Sequence, residues 1–260
     1  MQKQKLISIH LSLGSYQQFC QEIIQLCNST VSSNDPNSGE NVCPRSDYVC
    51  VANVHMLVEA NKDKEFAYVV NNSVITTPDG LPLAWGLRLK HGIKQDRVAG
   101  MDLLPDLLSL ASQNQIPVYF YGGTEEVLAK TESYVKQHYP DIPSVGFYSP
   151  PFRKLTEEET DEIVENINST GARLVFVALG CPKQEKWMAS MKGRVNAVML
   201  GIGAALPVLV GEQSRAPGWM QNNGLEWLYR LCQEPGRLWK RYFVTNSIYI
   251  CLLIKELFKK

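Results

Sequence analysis

The second half of the chain alternates short runs of β-branched and aromatic residues with amphipathic segments at helical spacing. Strands that alternate with helices form βαβ units, whose strands pair in parallel. The sequence therefore predicts an α/β protein built on a parallel sheet. The predicted strands lie at 118–121, 145–148, 174–178 and 197–200. The predicted helices lie at 124–139, 156–169 and 183–191.

The first half of the chain predicts further elements of the same kind. Residues 7–11 predict a strand, and residues 48–53 predict another that leads directly into a helix over 54–60. Asn53 is therefore expected where a strand ends and a helix begins. Two more helices are predicted, at 82–90 and 102–113.

Residues 76–82 have the sequence TTPDGLP. They predict the end of a strand, a tight turn and the start of a helix, because proline is favoured in a helix's first turn. Asp79 lies in the turn, where we expect its carboxylate at the mouth of a crevice. That position suits chemistry, although most Asp-Gly pairs only cap a helix or fix a turn. From this segment alone both interpretations stay open.

Three of the predicted strands end in residues that suit a phosphate. Open parallel sheets bind ligands beyond the carboxyl ends of their strands, and glycines at a helix N-terminus expose backbone N–H groups to an anion. Three such ends in one sheet predict a site for a nucleotide diphosphate. The residues are Gly122, Gly123 and Thr124 after the predicted strand at 118–121, Lys183 and Gln184 after the one at 174–178, and Gly201 and Gly203 after the one at 197–200.

A dinucleotide site is a weaker alternative. Gly201-Ile202-Gly203 is followed by Leu206 where the dinucleotide fingerprint has its third glycine or alanine. No acidic residue stands about twenty positions later, where the ribose would need one. The pattern therefore does not favour hydride transfer.

The charges of the chain are unevenly distributed, although the formal net charge is zero. Residues 226–260 hold seven basic and three acidic side chains, which gives them 7 − 3 = +4 and leaves −4 on the other residues. A basic tail on an acidic body indicates a polyanion or an anionic membrane surface as its partner.

The basic tail is amphipathic and predicts a helix. Arg230, Arg237 and Arg241 would share one face of a continuous helix, because they are close to two and three turns apart. Pro235 bends or breaks that helix. The cations either meet a pyrophosphate or anionic lipid head groups, or form a solvated face.

Cysteine usage and hydropathy indicate the compartment. Seven cysteines without a Cys-x-x-Cys pair indicate a reducing environment. The first ten residues lack the apolar core of a signal peptide, and the apolar run 248–254 is too short to span a bilayer. We expect a cytoplasmic protein with no metal site, since no histidine or cysteine has a partner at ligand spacing.

Six motifs in order make the chain resemble the WecG/TagA/CpsF family of bacterial glycosyltransferases, glycosyltransferase family 26. The matches cover most of the chain, from about Val49 to Tyr242. The motifs are TPDG at 77–80, RVAGMD at 97–102, GCPKQEKW at 180–187, GIGA at 201–204, RAP at 215–217 and GLEWLYR at 224–230.

This resemblance implies an inverting, metal-independent transferase without a cofactor. Such an enzyme moves a sugar, often N-acetylmannosamine, from its uridine diphosphate (UDP) form onto a sugar linked to undecaprenyl diphosphate. Its products enter teichoic acid linkage units, common antigen or exopolysaccharides. We expect a peripheral protein at the inner face of the cell membrane, with no nucleic acid as partner. Homo-oligomers are compatible with this expectation, which does not define the oligomeric state.

The resemblance also implies roles for individual residues. Asp79 matches the family's general base, and Arg97 matches an arginine that assists a substrate or leaving-group phosphate. Gln184 falls in a substrate-binding motif, beside Lys183. Arg230, Arg237, Lys240 and Arg241 fall in a basic C-terminal appendage that closes over the site and reaches the membrane.

Inverting transfer chemistry needs the same parts independently of the resemblance. One base must take the proton of the acceptor hydroxyl, and positive charge must stabilise the departing diphosphate. Asp79 supplies the base, and Arg97, Lys183 or the tail arginines supply the charge. The sequence contains no Asp-x-Asp motif to hold a metal in their place.

One departure from the family leaves the donor open. Several members have Thr-x-Asn at the end of the second strand, whereas this chain has Val51-Ala52-Asn53. Asn53 remains as a substrate-binding candidate without the hydroxyl. The alternatives are a UDP-glucose-dependent glucosyltransferase of the same fold and a non-catalytic scaffold of a polysaccharide assembly complex.

The resemblance and the element order together predict three segments. Residues 1–115 would form an N-terminal α/β lobe with the catalytic aspartate. Residues 116–223 would form a Rossmann-like parallel-sheet lobe for the nucleotide sugar, in a GT-E-like arrangement. Residues 224–260 would form the basic helical appendage.

Overall fold

The computed structural model of the chain describes residues 1–32 and 42–258. In chain order its elements are β1 (Lys3–Leu6), β2 (Ile9–Ser12), α1 (Tyr16–Asn28), β3 (Thr30–Ser32), β4 (Val42–Pro44), β5 (Asp47–Ala52), α2 (Val54–Lys62), α3 (Lys64–Asn71), β6 (Ile75–Pro78), α4 (Leu81–His91), α5 (Gly100–Gln113), β7 (Val118–Gly122), α6 (Glu125–His138), β8 (Val145–Tyr148), α7 (Glu157–Ser169), β9 (Leu174–Ala178), α8 (Lys183–Met191), β10 (Val198–Gly201), α9 (Ala205–Leu209), α10 (Gly218–Asn222), α11 (Glu226–Gln233) and α12 (Pro235–Phe258).

A six-stranded sheet forms the centre of the fold, with the strand order β6-β5-β10-β9-β7-β8. The pairs β5/β10, β10/β9, β9/β7 and β7/β8 are all parallel. The central strands are buried on both faces because helices follow them in the chain and return across the sheet. The α/β class and the parallel sheet predicted from the alternation are confirmed.

The chain divides into two compact units, each made of separate stretches of sequence. Unit 1 consists of residues 1–16, 50–99 and 213–260, and unit 2 of residues 17–49 and 100–212. The three segments predicted from the sequence were consecutive, whereas these units interleave.

The core of unit 2 contains a row of aromatic rings across neighbouring strands. Phe120 stacks on Phe147 with ring centroids 5.3 Å apart, and on Phe176 at 5.2 Å. Phe120 and Phe176 are fully buried, and burying such a side chain contributes about 1.5–3 kcal/mol. The register β8-β7-β9 is therefore stabilised by ring packing as well as by hydrogen bonds.

Unit 1 begins with an antiparallel hairpin in place of the single strand predicted at 7–11. β1 pairs with β2, and the chain reverses at Ile7, whose φ is +59°. Leu6, Ile9 and Leu11 are fully buried, and β2 packs beside β6. The strand prediction was wrong at its start because an isoleucine in a turn looks like a strand residue in the sequence pattern.

The C-terminal segment of unit 1 forms two helices. α11 ends at Gln233 and α12 begins at Pro235, so the proline interrupts the helix as its chemistry requires. α12 packs against α2 and α4. Its Tyr249 hydroxyl donates a hydrogen bond to the Pro82 carbonyl at 2.6 Å, and burial raises the pKa of Tyr249.

Gly86 of α4 is expected to be intolerant of a side chain. A Cβ at this position would lie 2.7 Å from the Tyr249 hydroxyl and 2.9 Å from Leu6 Cδ2. Gly86→Ala should therefore lower the free energy of unfolding by about 1–3 kcal/mol, measured by denaturant titration. Gly218→Ala is the matched control, because nothing lies within 4 Å of its Cβ position. Equal stability of the two variants would contradict the packing of α12 on α4.

Candidate active site

Asp79 lies immediately beyond the carboxyl end of β6 in unit 1. Its backbone N–H donates to the Ala52 carbonyl at 2.7 Å, so the ends of β5 and β6 are held side by side. The N-cap of α4 is Gly80, with φ +100°, and not Asp79. The half-buried Asp79 is therefore in the turn, one residue before the cap position. Gly80 therefore holds the N-cap position, and the interpretation that Asp79 only fixes the turn stays open.

The segment that carries Arg97 is fixed to the same strand end. Val98 N–H donates to the Pro78 carbonyl at 2.9 Å, and the Thr77 hydroxyl donates to the Val98 carbonyl at 3.0 Å. These two bonds tie residues 97–98 to the end of β6. The structure thus brings the predicted catalytic residues Asp79 and Arg97 into one part of unit 1.

Arg97 forms an ion pair with the first residue of α11. Arg97 Nη2 lies 3.3 Å from Glu226 Oε2, and the two side chains are 14% and 21% exposed. The other carboxylate oxygen, Oε1, lies 3.8 Å from Arg215 Nε. One carboxylate therefore lies between two guanidinium groups. We call Arg97, Arg215 and Glu226 the arginine cluster.

Asn53 occupies the strand-to-helix junction that the sequence predicted. It is the N-cap of α2, and its side-chain oxygen accepts a hydrogen bond from Met56 N–H at 3.1 Å. Asn53 follows Ala52 directly, which places it beside the Asp79 turn. Its side chain has a structural role as a cap, and substrate contact remains a prediction.

The first glycine-rich turn of unit 2 follows β7. Gly122 and Gly123 have φ values of +98° and +86°, and a Cβ on Gly122 would lie 2.8 Å from the Ala178 carbonyl oxygen. Only glycine fits this turn. The Thr124 hydroxyl caps α6 by accepting from Val127 N–H at 3.2 Å.

The N-terminus of α6 is less suited to an anion than the sequence suggested. Glu125 and Glu126 lie in its first turn, where their carboxylates already interact with the positive end of the helix dipole. The expectation of a phosphate at Gly122, Gly123 and Thr124 stays a prediction.

Gln184 forms a hydrogen-bond network beyond the carboxyl end of β9. Gly180 N–H donates to Gln184 Oε1 at 3.2 Å, and Gln184 Nε2 donates to Glu185 Oε1 at 2.6 Å. Both side chains are buried. Burial raises the pKa of Glu185, and the hydrogen bond from Gln184 opposes that rise.

The carboxyl end of β10 lies against the side-chain amide of Gln184. A Cβ on Gly201 would lie 2.8 Å from Gln184 Nε2, so only glycine lets the amide pack on the end of β10. Gly203 has φ +49° and lies next to Gln184 Oε1. The structure therefore brings Gln184, Gly201 and Gly203 together in unit 2. Lys183, the first residue of α8, is exposed.

The predicted cations of the tail lie on both C-terminal helices. Arg230 lies in α11, one turn after Glu226, while Lys240 and Arg241 lie in α12. Lys240 is exposed, and the Arg241 guanidinium lies 5.4 Å from the centre of the Tyr242 ring. Arg237 is in α12, and its side chain falls outside the described residues.

Metal-ligand clusters and membrane spans are absent from the described residues, 1–32 and 42–258. In that part of the chain no group of three or more histidine, cysteine, aspartate or glutamate side chains is placed to hold a metal ion. Within the same residues, each helix is too short or too polar to cross a bilayer.

Sequence reasoning missed two members of the arginine cluster and Glu185. Arg215 and Glu226 are in the RAP and GLEWLYR motifs, and Glu185 directly follows Gln184. Their positions within motifs were therefore the signal that could have identified them. The pairing of Glu226 with the two arginines could not be predicted, because ion pairs between distant segments leave no local pattern in the sequence.

A family comparison and a relative of known activity agree with the motif pattern. The model of the family described as "Glycosyl transferase WecG/TagA/CpsF family" matches residues 10–260. A protein of Bacillus subtilis (strain 168), N-acetylglucosaminyldiphosphoundecaprenol N-acetyl-beta-D-mannosaminyltransferase, is 31% identical over 213 residues. The match covers 82% of this chain and 81% of the relative.

The raised pKa of Glu185 makes a prediction about stability. A folded-state pKa above the unfolded value favours the protonated form, so this contribution is present in acid and is lost as the pH rises through the folded pKa. Glu185→Gln should therefore gain stability over the native chain at pH 8 and gain less at pH 5. Chemical denaturation at both pH values measures the difference.

The exposed Glu157→Gln is the control for the Glu185 measurement. This variant removes one exposed carboxylate from α7 and leaves the buried residues unchanged. A gain for Glu185→Gln that does not change with pH would show that the buried carboxyl does not titrate as its burial requires.

Proposed function

Because the chain belongs to the WecG/TagA/CpsF family of glycosyltransferases, we propose that it transfers N-acetylmannosamine from a UDP-sugar to a sugar linked to undecaprenyl diphosphate. The relative in Bacillus subtilis is named for that sugar and that acceptor. The product would enter teichoic acid or another cell-surface polysaccharide. The observation that carries the proposal is Asp79 at the end of β6, held beside Asn53 and Arg97.

Asp79 acts as the general base in this proposal. Its turn is fixed by backbone bonds to Ala52 on one side and by the bonds between β6 and Val98 on the other. A base must be held in place to take a proton from the acceptor hydroxyl as the new bond forms. The backbone bonds hold the turn that carries Asp79 in place.

In this proposal the reaction inverts the configuration at the anomeric carbon of the transferred sugar. The relative's name specifies a β-linked product, and a β product from an α-linked nucleotide sugar requires one direct displacement. The acceptor oxygen forms the new bond, the bond from the anomeric carbon to the diphosphate oxygen breaks, and Asp79 receives the proton. UDP leaves with the electron pair.

Positive side chains balance the charge of the departing diphosphate. Arg97 lies in unit 1 next to the base, and a guanidinium binds phosphate oxygens through two parallel hydrogen bonds. We assign this role to Arg97 without a metal, since the sequence has no Asp-x-Asp motif. Activity that persists in a chelator would support this assignment.

Unit 2 binds the nucleotide in the proposal. Gln184, Gly201 and Gly203 lie together at the carboxyl ends of β9 and β10, the usual ligand position in parallel sheets. Lys183 is exposed beside them as a further cation.

Replacing the base separates catalysis from binding. Asp79→Asn keeps the size of the side chain and removes its basicity, so kcat should fall by about 10²–10⁴-fold while the affinity for UDP stays the same. The measurement is UDP release from a panel of UDP-sugars with a polyprenyl-diphosphate-linked acceptor. Glu65→Gln, at an exposed carboxylate of the same unit, is the control.

The same panel tests the donor. Turnover with UDP-N-acetylmannosamine supports the proposal, whereas preference for UDP-glucose would support the alternative that Val51 left open. Val51 is buried in β5. Undiminished turnover by Asp79→Asn would exclude Asp79 as the base.

We further propose that α12 contacts an anionic membrane. Leu238, Thr245 and Tyr249 are buried on one face of the helix. At about 100° per residue, a set of exposed apolar side chains shares a different face. They include Trp239, Phe243, Ile250, Ile254 and Leu257, and Lys240 borders them. An apolar face beside a cation suits the interface of an anionic bilayer.

Two aromatic residues test the membrane proposal. Trp239 and Phe243 are 58% and 71% exposed. The double variant Trp239→Ser with Phe243→Ser should bind vesicles containing anionic lipid at least about tenfold more weakly, because the apolar area entering the bilayer is lost. Vesicle sedimentation measures this binding. Tyr68→Ser, at an equally exposed aromatic residue of α3, is the control. Unchanged sedimentation of the double variant would contradict this role of α12.

A further inference from the structure

The arginine cluster joins three segments of unit 1 that are distant in sequence. Arg97 follows α4, Arg215 precedes α10, and Glu226 is the first residue of α11. Each carboxylate oxygen of Glu226 faces a different arginine, at 3.3 Å for Arg97 Nη2 and 3.8 Å for Arg215 Nε. The shared carboxylate therefore holds the two guanidinium groups near one another.

Each segment of the cluster is fixed by hydrogen bonds of its own. Gln233 Nε2 donates to the Ser214 carbonyl at 3.2 Å, and Gln221 Nε2 donates to the Ala216 carbonyl at 2.6 Å. Arg215 is thereby held between two tethered neighbours. The Arg97 segment is tied to β6 through Val98. The geometry of the cluster is set by the fold and does not depend on the ion pairs alone.

The ion pairs themselves are long. Charge-assisted hydrogen bonds between a guanidinium and a carboxylate are usually about 2.7–2.9 Å. Glu226 Oε1 is buried and makes no hydrogen bond. The two printed contacts of Glu226 with the arginines, at 3.3 and 3.8 Å, are therefore longer than a charge-assisted hydrogen bond.

Two neighbouring guanidinium groups match the chemistry of a diphosphate. A diphosphate carries oxygens on two adjacent phosphorus atoms, and each phosphate can accept paired hydrogen bonds from one arginine. The side chains are 14% and 28% exposed, so both remain in reach of a ligand while their electrostatic interactions are stronger than in open solvent.

We propose that Arg215 is a second diphosphate-binding residue beside Arg97, and that Glu226 is the positioning residue that holds both. The proposal rests on the diphosphate role of Arg97 given above. The diphosphate belongs either to the nucleotide sugar or to the lipid-linked acceptor, which share this chemistry.

Arg215→Gln is the first test, and Arg88→Gln is its control. The control removes one exposed arginine from α4 in the same unit. A charge-assisted hydrogen bond contributes about 1.5–3 kcal/mol, so Arg215→Gln should weaken diphosphate binding by about 10–100-fold relative to the control. Arg215→Lys should recover part of the loss, because it keeps the charge and loses the planar fork.

Two measurements identify the source of the diphosphate. Calorimetric titration with UDP reports the donor, and KM for the lipid-linked acceptor reports the acceptor. A loss in either one supports the proposal and names the substrate. Values equal to those of Arg88→Gln in both measurements would overturn it.

Glu226→Gln tests the positioning role. The variant keeps the shape of the side chain and removes the charge that the two arginines share. It should lower kcat/KM by about tenfold, and combining it with Arg215→Gln should cost less than the product of the two single losses. If the loss of kcat/KM in the double variant equals the product of the two single losses, Glu226 does not position Arg215.

Thermal unfolding of each variant separates binding from folding. Arg215→Gln and Arg215→Lys should unfold at the same temperature as Arg88→Gln. A loss of affinity that follows the loss of thermal stability, without recovery in Arg215→Lys, would assign Arg215 to the fold and overturn the proposal.

Arg97→Gln separates the proposed function from the inference about Arg215. If it loses turnover while Arg215→Gln does not, the inference about Arg215 fails and the proposed function stands. If Arg97→Gln keeps full turnover and full UDP affinity, the diphosphate role of Arg97 fails, and the role of Arg215 fails with it.

Discussion

The hydrogen bonds around the end of β6 are the constraint on which the candidate site depends. Asp79 N–H is bound to the Ala52 carbonyl, and Thr77 and Pro78 are bound to Val98. Without them the Asp-Gly turn would be one more flexible connection. With them, the backbone of the turn is held in place, which is what the proposed general base requires of the fold.

The two units contribute different kinds of order. In unit 2 the glycines at the strand ends admit close packing, as Gly201 does for the Gln184 amide. In unit 1 an ion pair of Glu226 joins the Arg97 segment to the C-terminal helices. The proposed transfer needs both a binding site for a nucleotide and charges for a leaving diphosphate.

Much of the fold was predictable because its signals are local. The predicted strands at 145–148 and 174–178 coincide with β8 and β9, and Asn53 is the helix cap at a strand end, as expected. Periodicity and turn residues act within a few positions, so one sequence reveals them. The prediction failed at Ile7, where packing of the hairpin in unit 1 places an isoleucine in a turn.

The sequence by itself determined the α/β class, the turn that carries Asp79, the break at Pro235 and the motifs of the family. These depend on residue type and spacing. Only the tertiary structure decided that Glu226 lies between Arg97 and Arg215, and that the compact units interleave. An ion pair between distant segments forms only when packing brings them together, and packing depends on the whole chain.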